Sequence, residues 1–299
     1  MAALASYPAL GCTGSGYHVW TVLPATLPDV LCLGKYFNQP YNNTLLKAVL
    51  DEVMDMFPSE YIHIGGDEVL QRENNMVKWH TCDVCTAKMT ELGLVKVDSY
   101  TPETRFQYMF AKDIRQYLAS HGRKAICWQE SINDWYDLEN DGFDFSGGAI
   151  ESWTSGSAGL KAARNGIDAV MSPSFACYFD IAQTGTAGEP GSGPVNGGGP
   201  SNGGIPVTLN KAYDWNPVWN LTAAEQVHVK GVECAMWTEF ITTTTQLEYM
   251  LLPRLAATSE VGWTPQTTKD YERFTSSLTG KHFGLYSQLG YNFRSTQDF

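Results

Sequence analysis

The sequence predicts an α/β protein built on a parallel sheet, and three observations carry that expectation. Short apolar runs alternate with helical ones along the chain, the pattern of βαβ units. Strand-like runs end in aromatics or acids: Asp67 and Glu68, then Trp128 and Glu130, then Trp153, then Trp237 and Glu239. That recurrence fits a (β/α)8 barrel, whose active site gathers at the C-terminal ends of its strands. The third observation is the stretch Tyr61-Ile62-His63-Ile64-Gly65-Gly66-Asp67-Glu68-Val69. Its first four residues have the composition of a short buried strand, its glycines permit a sharp turn, and two carboxylates stand immediately beyond.

Taken in order, residues 1–42 are rich in Gly and Pro and show no sustained period, so they read as irregular. From Thr44 to Phe57, Leu46, Val49, Leu50, Val53, Met54 and Phe57 follow helical spacing, with Asn43 or Thr44 as N-cap. The strand at Tyr61–Ile64 is followed by a helical segment over Glu73–Gly93. A helix over Pro102–His121 presents Phe106, Phe110, Ile114, Tyr117 and Leu118 on one face and stops at Gly122. Lys124–Trp128, Gly148–Trp153, Asp168–Ser172 and Val229–Trp237 read as further strands, with a helix at Ala158–Asn165. Gln183–Ile205 is a Gly/Pro/Ser/Asn insert with almost no apolar content, which predicts a surface loop. Helical segments over Thr245–Thr258 and Lys269–Leu289 close the chain.

The composition, 43% apolar and 12% aromatic over 299 residues, supports a substantial core. A net charge of −12 argues against nucleic acid or an anionic membrane as partner. No run approaches the roughly 18 apolar residues of a membrane-spanning helix, and residues 1–5 do not open a signal peptide. Seven cysteines are an odd number, so at least one thiol is free or pairs elsewhere. Cys82-Asp-Val-Cys85 has His80 nearby, but no second C-x-x-C accompanies it. The expectation is a local disulfide or buried thiols, with no metal and no cofactor.

Adjacent acids at a strand exit suit acid/base chemistry, because repulsion raises the pKa of one while the other stays ionised. The alternative for Asp67 and Glu68 is an ordinary acidic first turn of a helix. The hexapeptide His63-Ile-Gly-Gly-Asp-Glu68 resembles the signature of the family 20 glycoside hydrolases, the β-N-acetylhexosaminidases. That resemblance implies a retaining hydrolase that releases terminal β-linked N-acetylhexosamine, GlcNAc or GalNAc, from glycans or glycoconjugates. Glu68 falls on the general acid/base and Asp67 on the residue that orients the 2-acetamido group, whose oxygen attacks the anomeric carbon. Strand geometry agrees with such a division of labour, since successive residues of an extended chain point apart.

The resemblance further assigns Trp128, Trp153 and Trp237 to the walls around the acetamido methyl and the sugar ring. Barrel core is the competing reading for each. Tyr178 and Asp180, in Tyr178-Phe-Asp180, match a hydroxyl that donates to the acetamido oxygen and a carboxylate that binds a sugar hydroxyl. Trp215 matches a further pocket residue, with Trp219 as its competitor, and Glu239 matches a ligand of the outer hydroxyls. His63 is expected beside the acids, or as a core histidine.

On this reading the chain covers strands four to eight of an N-terminally incomplete barrel. Three strands, and a sugar-binding arginine on the first of them, would precede residue 1. Five strands cannot close an eight-stranded barrel, so the function is expected of a longer parent, secreted, periplasmic or lysosomal in type. Two other functions compete. An inert carbohydrate-binding barrel could retain the aromatic platform, but it has no use for paired acids. A metal-dependent hydrolase on His63 and Asp67 lacks a second His/Asp cluster.

Overall fold

The computed structural model describes residues 2–18, 30–38, 40–69, 78–97, 100–132, 145, 147–184, 205–238 and 240–295. They fall into two compact units, Met1–Ala149 and Ile150–Phe299. No described helix is long and apolar enough to cross a membrane.

The first unit begins with α1 (Ala2–Ser6), a 3-10 turn at Pro8–Leu10 and α2 (Leu33–Asn38). Residues 2–6, 8–10 and 33–38 are therefore helical where the Gly and Pro content predicts irregular chain. The next helix, α3 (Pro40–Met56), starts four residues before Thr44, because proline's fixed φ suits a first helical turn. Asn43 and Thr44 lie inside it rather than at its cap. Strand β1 (Tyr61–His63) runs parallel to β2 (Lys124–Trp128), with Tyr61 opposite Lys124 and His63 opposite Ile126. Between them stand a 3-10 turn at Lys78–His80, α4 (Asp83–Glu91) and α5 (Pro102–Ser120). The 73–77 portion of the predicted helical segment lies outside the described residues. Helix α5 starts where predicted and ends one residue before His121; on its predicted face Phe106, Ile114 and Leu118 are buried and Phe110 and Tyr117 half-buried, and Thr101 Oγ1 accepts from Thr104 N–H. The core of this unit joins α5 to Ile62 and Ala125 of the strands and to Cys32, Tyr36, Trp79 and Cys85.

The second unit carries β3 (Ala149–Ser152), α6 (Ser157–Arg164), β4 (Asp168–Met171) and α7 (Ser174–Cys177). After them come α8 (Leu209–Tyr213), α9 (Ala223–Gln226) and β5 (Val229–Val232). Strand β4 lies between β3 and β5 and pairs parallel with β5 across a bulge at Ala169/Val170. Beyond β5 the predicted strand to Trp237 is reduced to one parallel bridge, Tyr178 with Ala235. Of the predicted insert, residues 185–204 lie outside the described residues. Its first residue, Gln183, is buried and donates to the Leu252 carbonyl rather than lying at a surface.

The predicted helix over 245–258 is two helices, α10 (Thr244–Leu251) and α11 (Arg254–Trp263). Pro253 separates them, having no N–H with which to continue the ladder. The 269–289 segment is α12 (Tyr271–Ser277) and α13 (Phe283–Leu289) joined by a π-helical turn.

Arg254, fully buried, is the polar hub of this unit. Its guanidinium donates to the carbonyls of Met250, Phe179, Ile181 and Val207 and stacks 4.6 Å from the Phe179 ring centroid. Truncating it would strand those carbonyls away from water, at about 1–3 kcal/mol each. Arg254→Ala is therefore expected to destabilise the chain by at least ~3 kcal/mol, read as a lowered denaturation midpoint with an unchanged m-value. Arg254→Lys should recover little, because one ammonium cannot span the same carbonyls.

Candidate active site

At the exit of β1 the chain turns through left-handed backbone: Gly65 has φ 70°, Gly66 φ 98° and Glu68 φ 52°. Left-handed geometry is rare for a side chain as large as glutamate and costs about 1–2 kcal/mol. It also ends the extended alternation on which the pointing-apart argument for Asp67 and Glu68 relied. The acids occupy a turn, and their divergence cannot be taken from strand geometry.

The turn is clamped from below. Gln107 Nε2 on α5 donates to the Gly66 carbonyl at 2.8 Å, and Ser131 Oγ donates to the Gly65 carbonyl at 3.1 Å. Trp128 N–H also bonds to Gly65 O, so β2 extends its ladder into the turn. A Cβ on Gly66 would stand 1.6 Å from Ser131 Oγ, in addition to the unfavourable φ. Gly66→Ala is thus expected to destabilise the turn by roughly 1–3 kcal/mol and to displace both acids. The expected readout is a loss of catalytic rate larger than the loss of thermal stability. Ser131→Gly in the same chain should restore only the steric part.

Gly65 N–H donates to His63 Nδ1 at 3.1 Å. Nδ1 is thus the accepting nitrogen of that bond. His63 meets the indole of Trp128 edge to face, 5.1 Å between centroids. Both Asp67 and Glu68 are exposed. Asp67 nonetheless has a raised pKa, chiefly from desolvation by the protein around it, offset by its own backbone N–H and by His63. Sequence reasoning anticipated one raised carboxyl but expected repulsion by its neighbour as the cause. Here burial is the leading cause.

In the second unit Trp153, Tyr178 and Trp237 come together. The Trp153 and Tyr178 rings stack at 5.8 Å and 18°, and Tyr178 meets Trp237 edge to face at 6.2 Å. Trp153 and Tyr178 are buried, whereas Trp237 is 40% exposed. That combination leaves part of the Trp237 indole exposed beside a packed tyrosine. Asp180 is buried two residues after Tyr178. Arg254 bonds the carbonyls of Phe179 and Ile181, so the helix α11 fixes the backbone on which Tyr178 and Asp180 stand. Trp215 does not join the trio by any ring contact described. It packs edge to face on Phe175 at 6.4 Å and lines a cleft with Asp214 and the 65%-exposed Trp219. Glu239 lies outside the described residues.

Gln107, Ser131 and Arg254 escaped sequence reasoning. No local pattern marks them, since each acts on a backbone group distant in sequence. For the first two, the Gly-Gly pair gave a partial signal, because a glycine that tolerates no Cβ implies something packed against it.

The description "Glycosyl hydrolase family 20, catalytic domain" belongs to the family model that matches residues 1–266. The β-hexosaminidase of Porphyromonas gingivalis is 31% identical over 283 residues, covering 93% of this chain and 32% of that protein. The β-hexosaminidase of Akkermansia muciniphila is 26% identical over 253 residues, 84% of this chain and 45% of that protein. The chain thus spans less than half the length of either relative. The exo-β-N-acetylglucosaminidase of Vibrio harveyi, solved with N-acetylglucosamine, is similar with a TM-score of 0.73 at 26% identity, over 92% of this chain and 40% of that one. The β-N-acetylhexosaminidase of Streptomyces coelicolor A3(2), at 24% identity and a TM-score of 0.71, covers 99% of this chain and 51% of that one and shares the fold. The fold class expected from the sequence, α/β of TIM-barrel type, is theirs.

Proposed function

Because the chain belongs to the family 20 glycosyl hydrolases, we propose that it supplies the catalytic acids of an enzyme releasing terminal, non-reducing β-linked N-acetylhexosamine. Glu68 protonates the glycosidic oxygen as the acetamido oxygen attacks the anomeric carbon, so the aglycone leaves as an alcohol and a cyclised intermediate forms. Glu68 then takes the proton of the water that reopens the ring, giving net retention. Asp67 orients the acetamido group and offsets the positive charge that develops on its nitrogen. Tyr178 donates to the acetamido oxygen, Trp153 and Trp237 contact the methyl and the sugar face, and Trp128 and Trp215 complete the walls. Asp180 and Glu239 bind sugar hydroxyls, and His63 supports the acids.

The observation that carries this reading is the clamped β1 exit. A glutamate held at positive φ behind two glycines is strain retained where a side chain must be aimed. The Trp153–Tyr178–Trp237 group supports the sugar-binding part, an aromatic cluster with one partly exposed indole. A metal-dependent hydrolase is less well supported. Among the described residues His63 and Asp67 belong to no group of three or more potential ligands.

In this proposal the chain holds the later strands of the barrel, and a segment supplying the earlier strands would complete it. The test is hydrolysis of a chromogenic β-N-acetylglucosaminide and of the matched β-glucoside, by the chain alone and joined to such a segment. The expected result is cleavage of the acetamido sugar only, increased by the added segment. Equal cleavage of both would sink the proposal, and saturable binding without turnover would favour an inert carbohydrate-binding barrel.

A further inference from the structure

We propose that Cys12, Cys32, Cys82 and Cys85 form a structural zinc site that staples three separate segments of the first unit together. Their four Sγ atoms lie within 4.8 Å of one another. The closest pairs are Cys32–Cys85 at 3.4 Å, Cys12–Cys85 at 3.8 Å and Cys32–Cys82 at 3.9 Å. A tetrahedral tetrathiolate with Zn–S bonds of about 2.3 Å has sulfur-to-sulfur edges of about 3.8 Å. The sulfurs are therefore already spaced as ligands around one ion. All four cysteines are free. The sequence contains no second C-x-x-C. The fold provides two single cysteines instead.

Each ligand is brought in by a local device. Cys82 stands at the N-cap of α4 and Cys85 one turn later, so both sulfurs lie on one side of the helix start. Cys82 makes no side-chain capping bond, which leaves its sulfur to the cluster, and the helix N-terminus favours thiolates. An antiparallel bridge between Gly11 and Leu31, continued by Cys32 N–H bonding to Leu10 O, brings the segment of Cys12 against that of Cys32. Trp79 Nε1 donates to Leu31 O at 2.9 Å, tying the segment before Cys32 to the segment before Cys82.

The surroundings suit an anionic centre. Gly34 N–H donates to Cys85 Sγ at 3.3 Å, the outer hydrogen bond that tetrathiolate sites use to hold their sulfurs. Position 34 admits only glycine, because a Cβ would fall 2.5 Å from Val84 O and 2.6 Å from Cys85 N. Lys35 Nζ donates to Ala9 O and Gly11 O, placing a cation beside a centre that sets two positive charges against four thiolates. Cys32 and Cys85 are fully buried, Cys82 nearly so and Cys12 half-buried, and four cysteine ligands fill a tetrahedral set. A closed set of four cysteine ligands is structural rather than catalytic. The segments it joins pack in the same core as Ile64 and Val69, which flank the turn bearing Asp67 and Glu68.

The test uses the full chain purified without metal affinity and without added chelator. About one zinc ion per chain is expected by elemental analysis, released as the thiols are titrated with an organomercurial. Cobalt in its place should give the intense visible and near-ultraviolet bands of a tetrahedral tetrathiolate. Cys12→Ser should weaken zinc binding by more than the roughly 100-fold that loss of an outer-shell partner costs, whereas Cys234→Ser should leave it unchanged. Should Cys12→Ser fail to fold, the wild-type chain still decides. Its Tm should fall on zinc removal and return on adding zinc back, and refolding from guanidinium should require the metal. A chain that binds no zinc even when the metal is supplied in excess, with four freely titrating thiols, or a Cys32–Cys85 disulfide in the purified protein, would overturn the proposal.

Discussion

Glu68→Gln is expected to slow hydrolysis by several orders of magnitude, and most for sugars carrying poor leaving groups. An amide cannot give up a proton, so general acid assistance is lost, worth roughly 10²–10⁴-fold, together with the later removal of a proton from water. A good leaving group departs without protonation and should be spared the first loss. The check is a leaving-group series of aryl β-N-acetylglucosaminides, in which the variant's rate should depend far more steeply on leaving-group pKa than the wild type's. Equal losses across the series would remove Glu68 from the role of acid. Its left-handed backbone adds a control: Glu68→Gln keeps the side-chain length and the turn, so an unchanged melting curve separates chemistry from folding.

Asp67→Asn is expected to damage turnover more than binding, on the order of 10²–10³-fold in kcat, the scale on which a lost charge-stabilising group is felt. The interaction strengthens as positive charge grows on the acetamido nitrogen, so its removal costs the transition state more than the ground state. Tyr178→Phe should have the same direction and a smaller size, because it deletes a neutral hydrogen bond rather than a charge-assisted one. The pair should be non-additive if both hold one acetamido group. The sign of the pH dependence follows from the raised pKa of Asp67. Its carboxyl takes up a proton at higher pH than an ordinary aspartate, and the protonated form cannot offset positive charge. Activity should therefore fall on acidification while still above the usual carboxylate range, and this acid limb should vanish in Asp67→Asn.

The exit of β1 was legible because its residues are consecutive in sequence. The stretch 61–69 announces a strand, a turn and two acids in consecutive positions, and the β1 ladder and positive φ values follow that order. The helix α5 was legible from its period alone, with Thr101 and Gly122 at its ends. What failed did so where one residue overrules a pattern. Pro40 started a helix earlier than the apolar period implied, and Pro253 cut one that the period ran through. What stayed hidden depends on distance in sequence. Gln107 and Ser131 reach the Gly65-Gly66 backbone across 41 and 66 residues. Arg254 reaches Phe179 across 75. The cysteine cluster draws on positions 12, 32, 82 and 85, and only its last pair carries a spacing that a sequence can display.

The central claim is that the substrate's own acetamido group is the nucleophile, held by Asp67. The measurement closest to it is the affinity of a stable thiazoline mimic of the cyclised intermediate for the wild type and for Asp67→Asn, beside the affinity of each for substrate. Analogues of reactive species bind roughly 10²–10⁸-fold more tightly than substrates when the site is built for them. The wild type should show such a preference and Asp67→Asn should lose most of it. A mimic that binds no better than substrate, or an equal preference in both proteins, would contradict the account.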